Sequence, residues 1–288
     1  MASQVSPYKF QLLDLSKEGI DSITELLSDV FPDSEHITED VIQWEYNLNP
    51  DGKAVGFNAW AGDILAGHYV TIPLRATING IEEKGLLSLN TATHSEHRGK
   101  GLFTQLANRT YEYAAENGYS FVIGVANANS THGFTKKLGF QLVGALKAMI
   151  GLGELPFGFG SEEIHYERIW NKAALKWRLS HPVYKYELSK GAFDTIYSSQ
   201  GKLGARYVAG VFQSGTEFGT ELKTAPSLPM KIWIGIDERF DRKGKLYVNI
   251  PMRLRPSPLN LIFKDLKGEG RTLNAENVRF QAIDFDTL

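Results

Sequence analysis

The sequence contains no cysteine, which removes disulfides, thiolate nucleophiles and cysteine-ligated metal sites together. It has no excess of either charge: 31 Lys and Arg face 33 Asp and Glu, for a net charge of -2. A nucleic-acid-binding module normally carries a basic face, so that class of partner is argued against, although a small basic pocket is not. No apolar run approaches the ~18 residues that a spanning helix needs. The opening MASQVSPYKF shows no basic segment followed by an apolar core. The expectation is a cytoplasmic protein without membrane contact. What is present is a globular balance, 288 residues with 42 % apolar and 22 % charged, enough for one large domain or two ordinary ones.

Hydrophobic spacing predicts a strand in YKFQLLDLSK and a helix in EGIDSITELLSDVF, ended by Pro32. A second helix, TEDVIQWEYNLNP, is stopped by Pro50. Three strands follow, AVGFNAWAGD, ILAGHYVTIPLRATI and KGLLSLNTATH, with Gly-Asp and Asn-Gly turns between them. LFTQLANRTYEYAAENG reads as a helix with Phe103, Leu106, Thr110 and Tyr113 on one face and Gly118 at its end. YSFVIGVAN is a buried strand, NANSTHGFTKKLGF a helix, and FQLVGALKAMIGL a closing strand. Residues 8 to 148 therefore read β-α-α-β-β-β-α-β-α-β. GLGELPFGFG (151 to 160) reads as a linker. Beyond it come a helix and the strands YVAGVFQ, KIWIGID, KLYVNIP, NLIFKDL and VRFQAIDF. VIQWEYNLNP and ALKWRLSHP share an apolar pair, a Trp and a terminal Pro, each ahead of strands. Two unrelated Pro-terminated helices would explain this, but the repeated order favours duplication.

Chemistry concentrates in HRGKGLF, residues 97 to 103, between a strand and a helix. A Walker loop needs Ser or Thr after its last Gly-Lys, whereas Gly101 precedes Leu102. A dinucleotide fingerprint needs a third glycine where Thr104 stands. What remains is Arg98-Gly99-Lys100-Gly101 bending directly into a helix, where free N–H groups favour an anion. A glycine turn with solvated charges is the plain alternative.

The R-x-x-G-x loop after the fourth strand, with the Asn-opened helix and KKLGF after the fifth, resembles the GNAT acyltransferase superfamily. RGKGLFTQL, FTKKLGF, RPSPLNLIF and DFD are further similar to two-lobed members associated with bacterial surface-sugar pathways. The resemblance implies an α+β fold with a mixed sheet: a GNAT domain at 1–148 and a degenerate GNAT-like domain at 149–288 that recognises the acceptor. It implies acyl-CoA as co-substrate, no metal, and direct attack of an amine on the thioester. The donor's pyrophosphate would be held by Arg98, Gly99, Lys100, Gly101, Leu102 and Phe103, with Thr93, Asn129 and Phe134 along the rest of the donor. A backbone N–H within Thr91–Thr93 would polarise the carbonyl. Two departures stand out: Phe103 replaces a small residue, and Thr135 stands where many relatives place a tyrosine acid.

For proton transfer the sequence offers His68, His94 and His132. His132 shares a helical face with Thr135, which makes it the candidate substitute. Asn90, on the fourth strand with Ser88, is a candidate for holding substrate. Asn127 and Asn129 suit the pantetheine arm or a helix cap. His94 and His97 form a possible metal pair, rejected for want of a third ligand. The expected activity is N-acylation of an amino sugar, nucleotide-linked, whose amine loses its proton more readily than a lysine. Aminoglycosides, polyamines or protein amines are alternative acceptors, a non-catalytic acyl-CoA sensor is an alternative class, and oligomerisation is left open.

Overall fold

The computed structural model describes residues 7–34, 36–160, 163–202, 204–225, 229–241 and 245–285. The opening six residues and Asp286 of the late DFD run lie outside them. The chain runs β1 (Lys9–Leu12), α1 (Lys17–Val30), α2 (Glu39–Asn47), β2 (Val55–Ala61), β3 (Ile64–Ile78), β4 (Ile81–Thr93), α3 (Leu102–Glu116), β5 (Phe121–Ala126), α4 (Ala128–His132), β6 (Gln141–Ala145) and β7 (Lys147–Leu152). It continues through β8 (Tyr166–Arg168), α5 (Lys172–Leu179), β9 (Tyr186–Ser189), β10 (Phe193–Lys202), β11 (Ala205–Gln213), β12 (Lys223–Thr224), β13 (Met230–Asp237), β14 (Tyr247–Asn249), β15 (Asn260–Asp265) and β16 (Val278–Gln281). This is the mixed α+β fold expected, and the element order of the first half holds. Among the described residues no helix is long and apolar enough to cross a membrane.

The helices start where side chains can satisfy their free N–H groups. Ser16 accepts from Gly19 N–H at the head of α1, and Thr38 accepts from Val41 N–H at α2. α1 buries Ile20, Ile23, Leu26 and Leu27 against the sheet. α3 buries Leu102, Leu106, Ala107, Thr110, Tyr111 and Ala114. The expected face is therefore rotated: Phe103 turns toward α4, and the half-buried Tyr113 packs on Phe57 with ring centroids 6.2 Å apart.

Two corrections concern the middle of the chain. The single strand expected over 140–152 is two. Leu146 N–H leaves the ladder to bond Leu259 O, after which β7 pairs with β13 and β14. GLGELPFGFG is not a free linker: its first residues belong to β7 and Phe157 bridges Phe240. The division expected at 148/149 falls inside β7. Strands also cross it in both directions, since β15 lies between β5 and β6. Glu83 secures the turn after β15, taking hydrogen bonds from Lys267, Arg271 and Ser120. Burial raises its pKa, but those bonds outweigh burial and hold the carboxyl below its ordinary value.

Trp44 of α2 and Trp177 of α5 stack at 4.6 Å and 14°. Each indole N–H donates to the other residue's carbonyl at 3.1 Å. The two tryptophans of the sequence echo thus meet across a local two-fold.

Candidate active site

β4 and β5 run parallel from Gly85↔Phe121 to Ser88↔Gly124, and the ladder stops there although both strands continue. On its other side β4 carries a bulge. Leu89 pairs with Val70 and Ala92 with His68, leaving Asn90 and Thr91 opposite Tyr69 alone. Bulges of this kind re-aim a backbone beside functional sites. Asn90 sits at φ 42°, an uncommon angle for a side chain-bearing residue, and its Nδ2 donates to buried Glu45 at 2.6 Å. The bulge also ends the simple alternation of Ser88 and Asn90 against Leu87 and Leu89, because all four line one cavity. Behind β4, Tyr69 hydroxyl bonds Ser88 Oγ at 2.8 Å and Tyr111 hydroxyl at 2.5 Å. Burial pushes Tyr69 up to about 12 against those bonds, so it stays protonated.

The glycine loop follows a single 3-10 turn at Ser95–His97. Gly99 and Gly101 take φ 75° and 74°, the left-handed region that glycine alone enters without strain. A Cβ on Gly99 would meet nothing within 4 Å, and on Gly101 only Gln105 Nε2 at 3.9 Å. Backbone angle rather than crowding therefore demands glycine, and the space ahead of the 15-residue α3 is open. No side chain caps α3, so its first N–H groups face that space. Arg98 and Lys100 are exposed beside it, with Arg98 Nε donating to Thr93 O at 3.4 Å. Leu102 is buried. Phe103 finds room against α4: its ring meets Phe134 edge-on at 5.2 Å, and a Cβ on Gly133 would approach it to 3.0 Å.

Asn127 is the cap of α4, accepting from Asn129 and Ser130 N–H at 3.0 Å while Ser130 Oγ accepts from Asn127 N–H. The helix widens to a π turn at Gly133–Lys137. Thr135 Oγ1 donates to Thr131 O at 2.9 Å. Asn129 and His132 are exposed. Two residues from beyond β14 brace this helix: Ser257 Oγ accepts from Ala128 N–H at 3.2 Å, and Asn260 donates to Thr131 Oγ1 at 3.0 Å.

Two cavities, about 340 Å3 and about 560 Å3, meet at the cleft and share Ser88, Leu89, Asn90, Val125 and Asn127. The smaller one adds Ser34, His36, Thr91, Ser130, Phe134 and Tyr184 among others. The larger adds Tyr207, Ile234, Ser257, Leu259 and Phe285. His132 lines neither. His36, which the sequence reading missed, has a buried Nδ1 without a partner among the described residues, and its ring lies 4.6 Å from that of Tyr184. His68 is wholly buried between Tyr46 hydroxyl at 3.1 Å and Asn58 Oδ1 at 2.7 Å. Burial lowers it to about 3, which makes it a neutral structural group. His94 and His97 lie 5.6 Å apart; His97 bonds Tyr8 hydroxyl, and His94 accepts from Glu96 N–H. Among the described residues no three His, Asp or Glu gather to hold a metal.

A sheet whose parallel central strands splay beside a bulge, with an uncapped glycine loop opening the next helix, is the arrangement of a GNAT-type fold. Residues 12–143, a little under half of the chain, match the family model described as an acetyltransferase (GNAT) domain. Match and fold together support an acyl-CoA-dependent N-acyltransferase, with acyl-CoA as co-substrate. No curated protein matches the sequence. Among solved structures the chain is similar to a conserved Enterococcus faecalis protein described as a "Probable N-Acyltransferase" (TM-score 0.65, 10 % identity, 90 % of this chain and 73 % of that one). It is also similar to Eis1 of Mycobacterium abscessus (0.61, 11 %, 91 % and 74 %). A third is Saccharomyces cerevisiae N-myristoyltransferase with bound myristoyl-CoA (0.55, 11 %, 91 % and 83 %).

Proposed function

We propose that the acceptor is the amine of an amino sugar, carried on a nucleotide and acylated in the cytoplasm for surface polysaccharide. The observation that carries this reading is the lining of the two cavities: among the described residues neither presents a carboxylate. A polycationic acceptor such as an aminoglycoside or polyamine needs acidic partners, whereas a neutral or anionic sugar does not. The second half contributes Tyr184 to the wall of the smaller cavity, which we assign to the acceptor.

In this reading the α3 N-terminus, Gly99 and Gly101 receive the donor's pyrophosphate, with Arg98 and Lys100 beside it. The open edges of β4 and β5 offer backbone groups to the pantetheine amides, near Thr93, Asn129 and Phe134. The amine nitrogen forms a bond to the thioester carbon while the carbonyl oxygen is polarised by the backbone at the Asn90–Thr91 bulge. The C–S bond then breaks, leaving an amide and a thiolate that takes up a proton. We place acceptance of the amine proton at His36 rather than His132, because His36 lines the cavity and His132 stands outside it.

The test is thiol release from acyl-CoAs with nucleotide-linked amino sugars, an aminoglycoside and a lysine peptide; a thiol reagent sees only released CoA in a cysteine-free chain. Turnover confined to a nucleotide sugar supports the proposal. Turnover with the aminoglycoside alone rejects it, and CoA binding without any turnover points to a sensor. His36→Gln should lower kcat about a hundredfold with CoA affinity unchanged.

A further inference from the structure

The larger cavity differs from the smaller in what its polar side chains are doing. Ser88 is held by Tyr69 at 2.8 Å and Asn90 is bonded to Glu45 at 2.6 Å. Asn127 Oδ1 is engaged in the cap of α4. Ser257 accepts from Ala128 N–H at 3.2 Å and donates to Pro258 O at 3.2 Å. The Tyr207 hydroxyl, Asn90 Oδ1 and Asn127 Nδ2 have no hydrogen bond among the described residues. The rest of the wall is hydrocarbon, with Ile234, Leu259 and Phe285 contributed by the second half, and no charged side chain lines it. A sugar with several hydroxyls brought here would give up its hydration for few partners. An alkyl chain gives up nothing and gains from leaving water.

Resting on the acyl-CoA reading, we infer that this cavity receives the acyl chain of the donor, and that the donor is longer than acetyl. The cavity adjoins the cleft through Ser88, Leu89 and Val125, beside the bulge where the thioester carbonyl is placed. Its volume of about 560 Å3 far exceeds the need of a methyl group and leaves room for a straight alkyl chain. The smaller cavity, where the side chains of His36 and Ser34 make no hydrogen bond among the described residues, is left to the polar acceptor.

The experiment is calorimetric titration of the full chain, without acceptor, with CoA and with acetyl-, butanoyl-, hexanoyl- and octanoyl-CoA. Affinity should rise roughly three- to fourfold per added CH2 until the cavity is filled, leaving octanoyl-CoA at least tenfold tighter than acetyl-CoA. Equal affinities within twofold overturn the inference. Leu259→Trp should collapse the octanoyl-to-acetyl ratio toward one, and a variant that keeps the full ratio overturns the location. Ile234→Phe takes its place if Leu259→Trp fails to fold. Failure of CoA itself to bind is a separate result: it rejects the acyl-CoA reading, and this inference with it.

Discussion

The molecule contains the same splayed strand pair twice, and only one of the two is open. In the first half β4 and β5 pair as far as Ser88 and Gly124 and then part around the cleft. In the second half β11 and β13 also run parallel, pair only as far as Val208 and Trp233, and part. There β16 pairs with Gly235–Asp237, and the Gln281 side chain accepts from Val211 N–H at 2.9 Å while donating to Val211 O at 3.3 Å. The second opening is thereby plugged. The described residues between β11 and β13 hold only the short β12, with no helix to receive a phosphate. Each half also completes the other: β15 lies between β5 and β6, and β7 lies between β13 and β14. The same strand arrangement thus opens twice, and the proposed donor site is the opening left unfilled and followed by a glycine loop.

The largest expected effect tests whether the halves are truly one folding unit. Trp177→Ala removes the stacked partner of Trp44 and the hydrogen bond from the Trp177 indole N–H to Trp44 O, and should cost about 3–5 kcal/mol in urea unfolding with a single transition. Two separate transitions would show the halves to be independent. Gly101→Val forces a β-branched residue to φ 74°, and should weaken CoA binding about a hundredfold while leaving the far-UV spectrum unchanged.

Smaller effects follow from buried polar groups on either side of the comparison. His68 behind the open cleft is lowered to about 3 by burial, while in the unfolded chain it titrates near 6.5. Between these values the unfolded state holds the extra proton, so stability falls as pH falls. The contribution is about 2 kcal/mol between pH 6.5 and 5, and His68→Gln should remove it from the pH dependence of the unfolding midpoint. In the plugged copy, Gln281→Leu leaves Val211 N–H and C=O unpaired. It should cost about 1–2 kcal/mol, with turnover unchanged.

The elements of the first half were legible because their signals are local. Ile64–Ile78 is bounded by turn residues, α3 by two glycines, and the loop by its own composition. The cleft itself was not, since a splay and a bulge are set by where pairing stops. β10 escaped because buried Asp194, Thr195 and Ser198 blur the apolar alternation. The position of β15 is a pairing across more than a hundred residues, which leaves no mark on its own sequence. His36 sits in the irregular connection between α1 and α2, where no periodicity singles it out. The Trp echo was readable, but that its two indoles bond to each other was not.

The most direct test of the central claim is the stoichiometry of CoA binding by titration calorimetry, on the native chain and on Gly101→Val. One site per chain, lost in the variant, is the predicted result. Two sites, or one site that survives the substitution, would contradict the assignment of the open cleft as the donor site.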